Sequence, residues 1–180
     1  MLNGNWDVIE GAYFSEWDPE RHVVKPFEIP EYWMRFMSGD WGSAKPFSFG
    51  WWAVAGDDYA LPDGRVIPRG ALVRYREWYG SANHDNVGMK LTAEEVGKGI
   101  QARTREKLSY RTLDPAAFAE DGGPSIAERM YRAGDCFFTR ADNKRVPRRG
   151  AMGGWDQLRS RLKGDGDERG MIFFFETCFD

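Results

Sequence analysis

Runs of apolar residues separated by turn residues divide the first part of the chain into closely linked strands. The apolar runs predict three strands, at Trp33–Asp40, Phe47–Ala55 and Ala71–Tyr79. Because only short segments join them, we expect these strands to form an antiparallel meander. Alternation along the third strand predicts that one face carries Val73, Tyr75, Glu77 and Tyr79. The turn residues of segment 57–64 predict a loop between the second and third strands.

The rest of the chain alternates between helical and extended patterns. Capping boxes at Thr92–Glu95 and Ser125–Glu128 predict the starts of two helices, and Gly134 is expected to end the second. Helical spacing predicts a third helix over Trp155–Gly164. Short strands are predicted at Lys107–Leu113, Cys136–Thr139 and Met171–Cys178. The order β-β-β-α-β-α-β-α-β predicts an α/β fold with a mixed sheet, three antiparallel strands followed by alternating α and β, and helices on both faces.

The length and composition are those of one globular domain preceded by an arm. Residues 1–30 are expected to form the arm, because Pro26 and Pro30 interrupt a stretch with few aliphatic residues, and residues 31–180 form the domain. Hydrophobic residues make up 42% of the 180 residues and charged residues 29%, which excludes wholesale disorder. No apolar run approaches the roughly 20 residues of a membrane span. Acidic and aromatic residues near the start argue against a signal peptide.

Charge and cysteine content narrow the classes of function. The net charge of −3 excludes a globally basic nucleic-acid binder, so a polyanion site would require local clustering of basic residues. Cys136 and Cys178 both lie in aromatic runs and are too few for a disulfide framework or a structural zinc site. They are expected to be buried, reduced thiols of a cytosolic protein. The eight tryptophans predict either a dense aromatic core or rings presented to a partner.

Two aspartates follow predicted strands and are the main candidates for catalysis. Asp40 ends the first strand, and Asp114 ends the fourth strand and precedes Pro115. Each aspartate also suits a turn, and Asp-Pro often caps one. However, the first and fourth strands are plausible parallel neighbours, so their carboxyl ends would be adjacent. Two carboxylates there would be able to share one or two Mg²⁺ or Mn²⁺ ions in a two-metal site that hydrolyses phosphodiesters.

A basic stretch and several weaker candidates remain to be considered. Residues 139–163 contain eight basic and two acidic residues. This stretch predicts DNA-binding residues at Arg140, Lys144, Arg145, Arg148 and Arg149, and the alternative is a solvated surface. Glu77 follows Arg76 and is expected to be an ion-pair partner rather than a metal ligand. His22 and His84 lack metal-ligand spacing, and Gly39–Lys45 lacks the spacing of a phosphate-binding loop.

Several segments together resemble the C-terminal nuclease domain of phage large terminase subunits, which has an RNase H-like fold. The segments are Asn3–Asp7, Glu10–Phe14, Phe36–Pro46, Tyr75–Tyr79, Leu113–Met130, Ala141–Arg145 and Gly154–Leu158. The resemblance implies that residues 1–30 link the domain to a packaging ATPase domain. It also implies that Asp40 and Asp114 are the first two acidic metal ligands. In this family a third acid lies on a helix after the last strand, which we expect beyond Asp180 in a domain truncated at its C-terminus.

The resemblance implies a metal-dependent endonuclease that cuts concatemeric double-stranded viral DNA during genome packaging. The implied partners are DNA and, in the full-length protein, the ATPase domain, the small terminase subunit and the portal. The implied location is the cytoplasm of a bacterial host carrying a phage or prophage. Two alternatives stay open: a catalytically inactive DNA-binding module that lacks the third acid, and a carbohydrate- or protein-binding domain that uses exposed tryptophans.

Overall fold

The computed structural model of the chain describes residues 14–82, 86–142, 152–164 and 169–178. The strands within these ranges are β1 (Val23–Val24), β2 (Met34–Asp40), β3 (Ser48–Val54), β4 (Tyr59–Ala60), β5 (Val66–Ile67), β6 (Leu72–Tyr79), β7 (Tyr110–Leu113), β8 (Thr139–Arg140) and β9 (Ile172–Phe175). The helices are α1 (Pro19–His22), α2 (Ala93–Arg103), α3 (Ile126–Gly134) and α4 (Gly154–Lys163). Short 3-10 turns follow β7, at Pro115–Phe118, and β9, at Glu176–Cys178.

Seven of these strands form one mixed sheet in the order β1-β9-β6-β3-β2-β7-β8. The strands β2, β3 and β6 pair antiparallel, as the meander prediction requires. The other pairs are parallel, namely β1 with β9, β6 with β9, β2 with β7, and β7 with β8. The predicted mixed α/β sheet is therefore confirmed. The prediction of a plain loop after β3 was incomplete, because β4 and β5 form a small separate hairpin there.

Part of the segment that was expected to be an arm belongs to the main sheet. The strand β1 pairs parallel with β9, with Val23 opposite Phe174. Just before it, α1 is capped by Asp18, whose carboxylate accepts the backbone N–H of Glu20 at 3.0 Å. His22 at the end of α1 is fully buried. Elements of two to four residues are too short to carry a periodic signal, and so their tertiary contacts specify them.

The helices α2 and α3 pack closely against each other on one face of the sheet. Thr92 and Glu95 form the predicted capping box at the start of α2, and the Ser125 hydroxyl accepts the backbone N–H of Glu128 at 3.2 Å at the start of α3. The helix α3 ends at Gly134 as predicted, but Gly134 is its last helical residue and Asp135 is the residue that follows in the left-handed conformation, with φ 49°. A Cβ on Gly134 would overlap the carbonyl oxygen of Gly97, so this glycine permits the close helix contact.

A β-bulge changes which residues of β6 face the helices. The pairing with β3 shifts between Trp51 and Trp52, which pair with Arg76 and Arg74 respectively. Val73 therefore packs in the core, whereas Glu77 lies on the opposite face with Arg74, to which it forms an ion pair at 3.2 Å. The predicted alternation of Val73, Tyr75, Glu77 and Tyr79 on one face was wrong for this reason, since a bulge adds a residue to one strand.

Both sheet faces are covered by helices in the described residues. On one face, α2 and α3 bury a cluster that includes Trp51 and Phe49. On the other face, the ring of Trp17, just before α1, meets the ring of Phe174 edge-on at 5.3 Å.

Cys136 and Cys178 are buried as predicted, and burial raises the pKa of each thiol to about 11, so both are protonated at neutral pH.

Candidate active site

The strand order brings Asp40 and Asp114 to the same edge of the sheet. The strands β2 and β7 are parallel, and their last paired residues are Gly39 and Leu113. Each aspartate is the next residue along the chain. The backbone N–H of Asp114 donates to the carbonyl oxygen of Gly39 at 3.1 Å, which joins the two strand ends directly. The adjacency expected from the strand order is therefore present; we call this edge, defined by Asp40 and Asp114, the acidic edge.

Asp114 also forms a turn, which the sequence analysis gave as the alternative to a catalytic role. Its carboxylate accepts the backbone N–H of Ala116 at 2.7 Å and caps the 3-10 turn that begins at Pro115. This hydrogen bond uses one carboxylate oxygen and fixes the side chain at the strand end. Because a carboxylate has several lone-pair sites, the cap does not preclude a cation as a further partner.

The two carboxylates interact electrostatically. Partial removal of the Asp40 carboxylate from water raises its pKa above the ordinary value of 3.8, and the negative charge of Asp114 raises it further. The backbone N–H of Trp41 acts in the opposite direction. Two like charges held together in this way favour a divalent cation, and carboxylate oxygens are the hard donors that Mg²⁺ and Mn²⁺ prefer. The donor set therefore fits such an ion.

A complete ligand set is absent from the described part of the chain. Within the ranges given above, no three His, Cys, Asp or Glu side chains come together as a metal-binding group. Asp142 lies two residues beyond β8, the next parallel strand after β7, and is exposed. Asp142 therefore follows the strand next to the one that ends at Asp114. The sequence analysis did not identify it as a candidate ligand, because it lies in the basic stretch.

Arg140 places the start of the basic stretch beside Asp114. It pairs with Leu113 across β7 and β8, and its guanidinium lies 5.2 Å from the ring centroid of Phe118. The side chain is exposed, so it is accessible to a phosphate. The other predicted DNA-binding residues, Lys144, Arg145, Arg148 and Arg149, lie outside the described residues.

Glu77 lies apart from the two aspartates. Its strand β6 is separated from β2 by β3, and its carboxylate pairs with Arg74. Burial raises the pKa of Glu77, and Arg74 partly offsets this increase. Arg76 instead pairs with Glu106 at 2.9 Å, because the bulge turns the two arginines to opposite faces. Glu77 is therefore an ion-pair partner, as expected, but of Arg74.

The remaining candidates lie elsewhere in the fold. His22, the last residue of α1, is buried against α4, with its Nε2 2.9 Å from the carbonyl oxygen of Leu162. His84 lies outside the described residues. An open cleft of about 520 Å³, lined in part by Arg69 and Arg161, lies near the beginnings of β6 and β9. The acidic edge is at the opposite end of the sheet. The cleft is therefore separate from the aspartate pair.

The sequence analysis predicted no structure for one segment that lies beside the acidic edge. Residues 80–82 and 86–90 dock against the segment that follows Asp40, and the backbone N–H of Gly88 donates to the carbonyl oxygen of Ala44 at 2.9 Å. Added Cβ atoms on Gly80 and Gly88 would overlap Phe47 and Ser43. These two glycines were the sequence signal of a close contact, although they did not reveal its partner.

Comparisons with known proteins find similar structures but no similar sequence family. No protein-family model matches the chain, and no curated protein matches it. The large terminase of a thermophilic bacteriophage aligns over 92% of this chain and 34% of its own, with a TM-score of 0.63 and 17% identity. The P22 large terminase nuclease domain aligns over 92% of this chain and 73% of its own, with a TM-score of 0.54 and 18% identity.

These similarities confirm the RNase H-like fold. The chain spans about a third of the length of the thermophilic phage protein. In the described residues, no helix has both the length and the apolar character required to cross a membrane.

Proposed function

We propose that this chain is a divalent-metal-dependent DNA endonuclease domain that acts in phage genome packaging. The observation that carries the proposal is the pair Asp40 and Asp114, placed at adjacent ends of parallel strands in an RNase H-like sheet. Their mutual repulsion favours a bound cation. The fold shared with the terminases of the thermophilic phage and of P22 supports the same assignment.

The proposed chemistry is phosphodiester hydrolysis. Bound Mg²⁺ or Mn²⁺ would activate water and stabilise the charge that develops on the phosphate. Asp40 and Asp114 would hold the metal, and the cap at Ala116 would keep the Asp114 carboxylate oriented. Arg140 would hold a neighbouring phosphate of the DNA backbone. Because phosphate contacts carry no base information, we expect the basic residues to bind DNA of any sequence.

The wider setting is part of the same proposal. The domain would cut concatemeric double-stranded DNA into genome lengths in the cytoplasm of a bacterial host. In a full-length terminase it would work with a packaging ATPase domain, a small terminase subunit and a portal. The third acidic ligand would come from outside the described residues, and residues 1–30 would link to the ATPase domain.

A second candidate function is DNA binding without cleavage. It is favoured by the lack of a third metal-binding side chain next to Asp40 and Asp114 in the described residues. In this case the same fold and basic stretch would bind DNA, but the carboxylate pair would not retain a metal. Metal binding therefore distinguishes the two functions.

The test is plasmid nicking in Mn²⁺ by the 180-residue chain and matched variants. Asp40→Asn and Asp114→Asn remove one candidate ligand each, whereas Asp121→Asn makes the same change at an exposed loop position. We expect the wild type and Asp121→Asn to nick equally, and each ligand variant to be slower by on the order of 100-fold or more. Circular dichroism would verify that all variants fold.

Two results would decide against the proposal. Wild-type nicking rates in Asp40→Asn or Asp114→Asn would show that the pair is not the active site. If the wild type does not nick, calorimetry with Mn²⁺ distinguishes the remaining cases. Binding that is lost in Asp40→Asn would support the metal site, whereas no binding combined with salt-sensitive DNA affinity would establish the second candidate function.

A further inference from the structure

Three large apolar side chains are exposed beside the acidic edge. Tyr79, Val87 and Met89 are 49%, 43% and 44% exposed, respectively. They belong to a segment that we call the rim, residues 79–82 and 86–90. Tyr79 pairs with Ser48, which in turn pairs with Asp40. Two inter-strand spacings therefore separate the backbones of Tyr79 and Asp40, a distance of about 10 Å.

The rim is fixed to the sheet by backbone hydrogen bonds. The N–H of Gly80 donates to the carbonyl oxygen of Phe47 at 2.8 Å, and the N–H of Met89 donates to that of Gly80 at 3.0 Å. Further along, the N–H of Ala82 donates to the carbonyl oxygen of Val87 at 2.9 Å. The rim thus holds its apolar side chains in place relative to Asp40.

The rim is apolar at its centre and basic at its flanks. Ser81 and Gly88 form an antiparallel bridge, and the exposed residues Val87 and Met89 lie on either side of Gly88. Lys45 and Lys90 are exposed next to them. The described rim residues contain no acidic side chain. The positive charge of the two lysines is opposite to that of the carboxylate pair and complementary to a polyanion.

We propose that the rim contacts the minor groove of double-stranded DNA, with Val87 and Met89 inserted in the groove and Lys45 and Lys90 on its phosphates. This inference rests on the proposed function, in which the cut phosphate lies at Asp40. Proteins that bind the minor groove often insert apolar side chains between base steps. The minor groove is about 6 Å wide and the major groove about 12 Å. Since the backbones of Tyr79 and Asp40 are about 10 Å apart, a duplex whose cut phosphate lies at Asp40 would extend across the rim with one of its grooves.

Insertion of apolar side chains predicts a preference for deformable DNA. Inserting them kinks the duplex, and pyrimidine–purine steps such as TA and CA unstack most readily. We therefore expect tighter binding to duplexes that contain such a step than to those with a stiff A-tract. The rim would add this shape preference to the sequence-independent binding of the basic stretch.

The test is fluorescence anisotropy with a duplex of about 30 base pairs in EDTA, so that the readout does not require cleavage. We expect Val87→Ser/Met89→Ser to weaken binding about tenfold through loss of apolar contact, with an unchanged salt dependence. Lys45→Gln/Lys90→Gln should reduce the slope of log K against log salt by about 2. The matched control is Met34→Ser, because Met34 is also 44% exposed but lies at the opposite end of β2, and we expect no change.

The minor groove is tested by competition with netropsin, which we expect to displace the wild type from an A·T-containing duplex. Wild-type affinity in Val87→Ser/Met89→Ser, or insensitivity to netropsin, would overturn the inference. A change of oligomeric state without a change in DNA affinity would assign the rim to a protein partner and also overturn it. Loss of affinity in the rim variant of a chain that neither nicks DNA nor binds Mn²⁺ would support the rim contact while refuting the nuclease.

Discussion

At the scale of single residues, the candidate active site is expected to cost stability. Asp40 and Asp114 repel each other, and the raised pKa of Asp40 means that the folded protein disfavours its ionised form at neutral pH. In EDTA at pH 7, Asp40→Asn should therefore be as stable as the wild type or more stable, by about 0.5 kcal/mol or less because the exposed carboxylate is well screened. Denaturant unfolding measures this difference.

The same variant should lose its response to metal. Wild-type protein should melt at a higher temperature in millimolar Mn²⁺ than in EDTA, because an ion that binds only the folded state stabilises it. Asp40→Asn should show little of this increase, and Asp121→Asn should show all of it. A clear destabilisation of Asp40→Asn in EDTA would mean instead that the carboxylate has a structural role.

His22 makes the stability of the α1–α4 contact depend on pH. Its ring is fully buried, with nitrogens 2.9 Å from the carbonyl oxygen of Leu162 and 2.8 Å from that of Asp18. Burial lowers the pKa of His22 below its ordinary value of 6.5 and outweighs the two carbonyls. The unfolded chain then binds the proton more readily. This contribution to stability is complete above pH 6.5 and is lost as the pH falls below it.

The predicted loss is at most about 1.4 kcal/mol at about pH 5.5, roughly one unit below the ordinary pKa. Melting temperatures of the wild type and His22→Gln at about pH 7.5 and 5.5 test it, since glutamine keeps an N–H donor and does not titrate. The wild type should lose more stability between these pH values than His22→Gln. An equal loss in both proteins would show that the folded protein binds a proton at His22 as readily as the unfolded chain does, so that folding does not lower its pKa.

At the scale of elements, close packing outweighs helix propensity in α2. Gly97 lies inside this helix, where alanine is ordinarily better by about 1 kcal/mol. However, a Cβ on Gly97 would lie 2.5 Å from the carbonyl oxygen of Met130 in α3. Gly97→Ala should therefore destabilise the protein by about 1–3 kcal/mol, since backbone cannot move aside cheaply. Gly154→Ala, in the open first turn of α4, should be neutral or stabilising. Urea unfolding of both variants should show a loss of stability in Gly97→Ala and no loss in Gly154→Ala.

The elements that could be predicted from sequence are those specified by local signals. The capping box at Thr92, the N-cap at Ser125 and the long apolar runs of β2, β3 and β6 depend on nearby residues, and their positions were correct to within a few residues. At Ser125 only the half of the predicted box that Ser125 forms is present, since the Glu128 carboxylate pairs with Arg132. The bulge between Trp51 and Trp52 depends on the pairing of two strands, so a period of two residues could not reveal it. The strand β1 has two residues and exists because β9 provides an edge.

At the scale of the whole molecule, the sheet order determines how much of the site could be predicted from the sequence. Asp40 and Asp114 are 74 positions apart, and only the parallel pairing of β2 with β7 brings them together. That pairing followed from the order of strands and helices, because crossover helices favour parallel neighbours. No such rule predicts the position of the rim, since its place beside Asp40 depends on backbone hydrogen bonds to residues 43–47.

The same sheet order predicts how the molecule opens. The strands β3 and β6 are central, and Tyr75 of β6 packs against both hydrophobic clusters, one under α2 and α3 and the other beside β4 and β5. Their amides should exchange with solvent only through global unfolding, whereas the two-residue edge strands β1 and β8 should exchange through local opening. Hydrogen exchange measured by mass spectrometry in EDTA tests this order. Slower exchange in β8 than in β3 would contradict it, and would indicate that the sheet is held together at the acidic edge rather than at its centre.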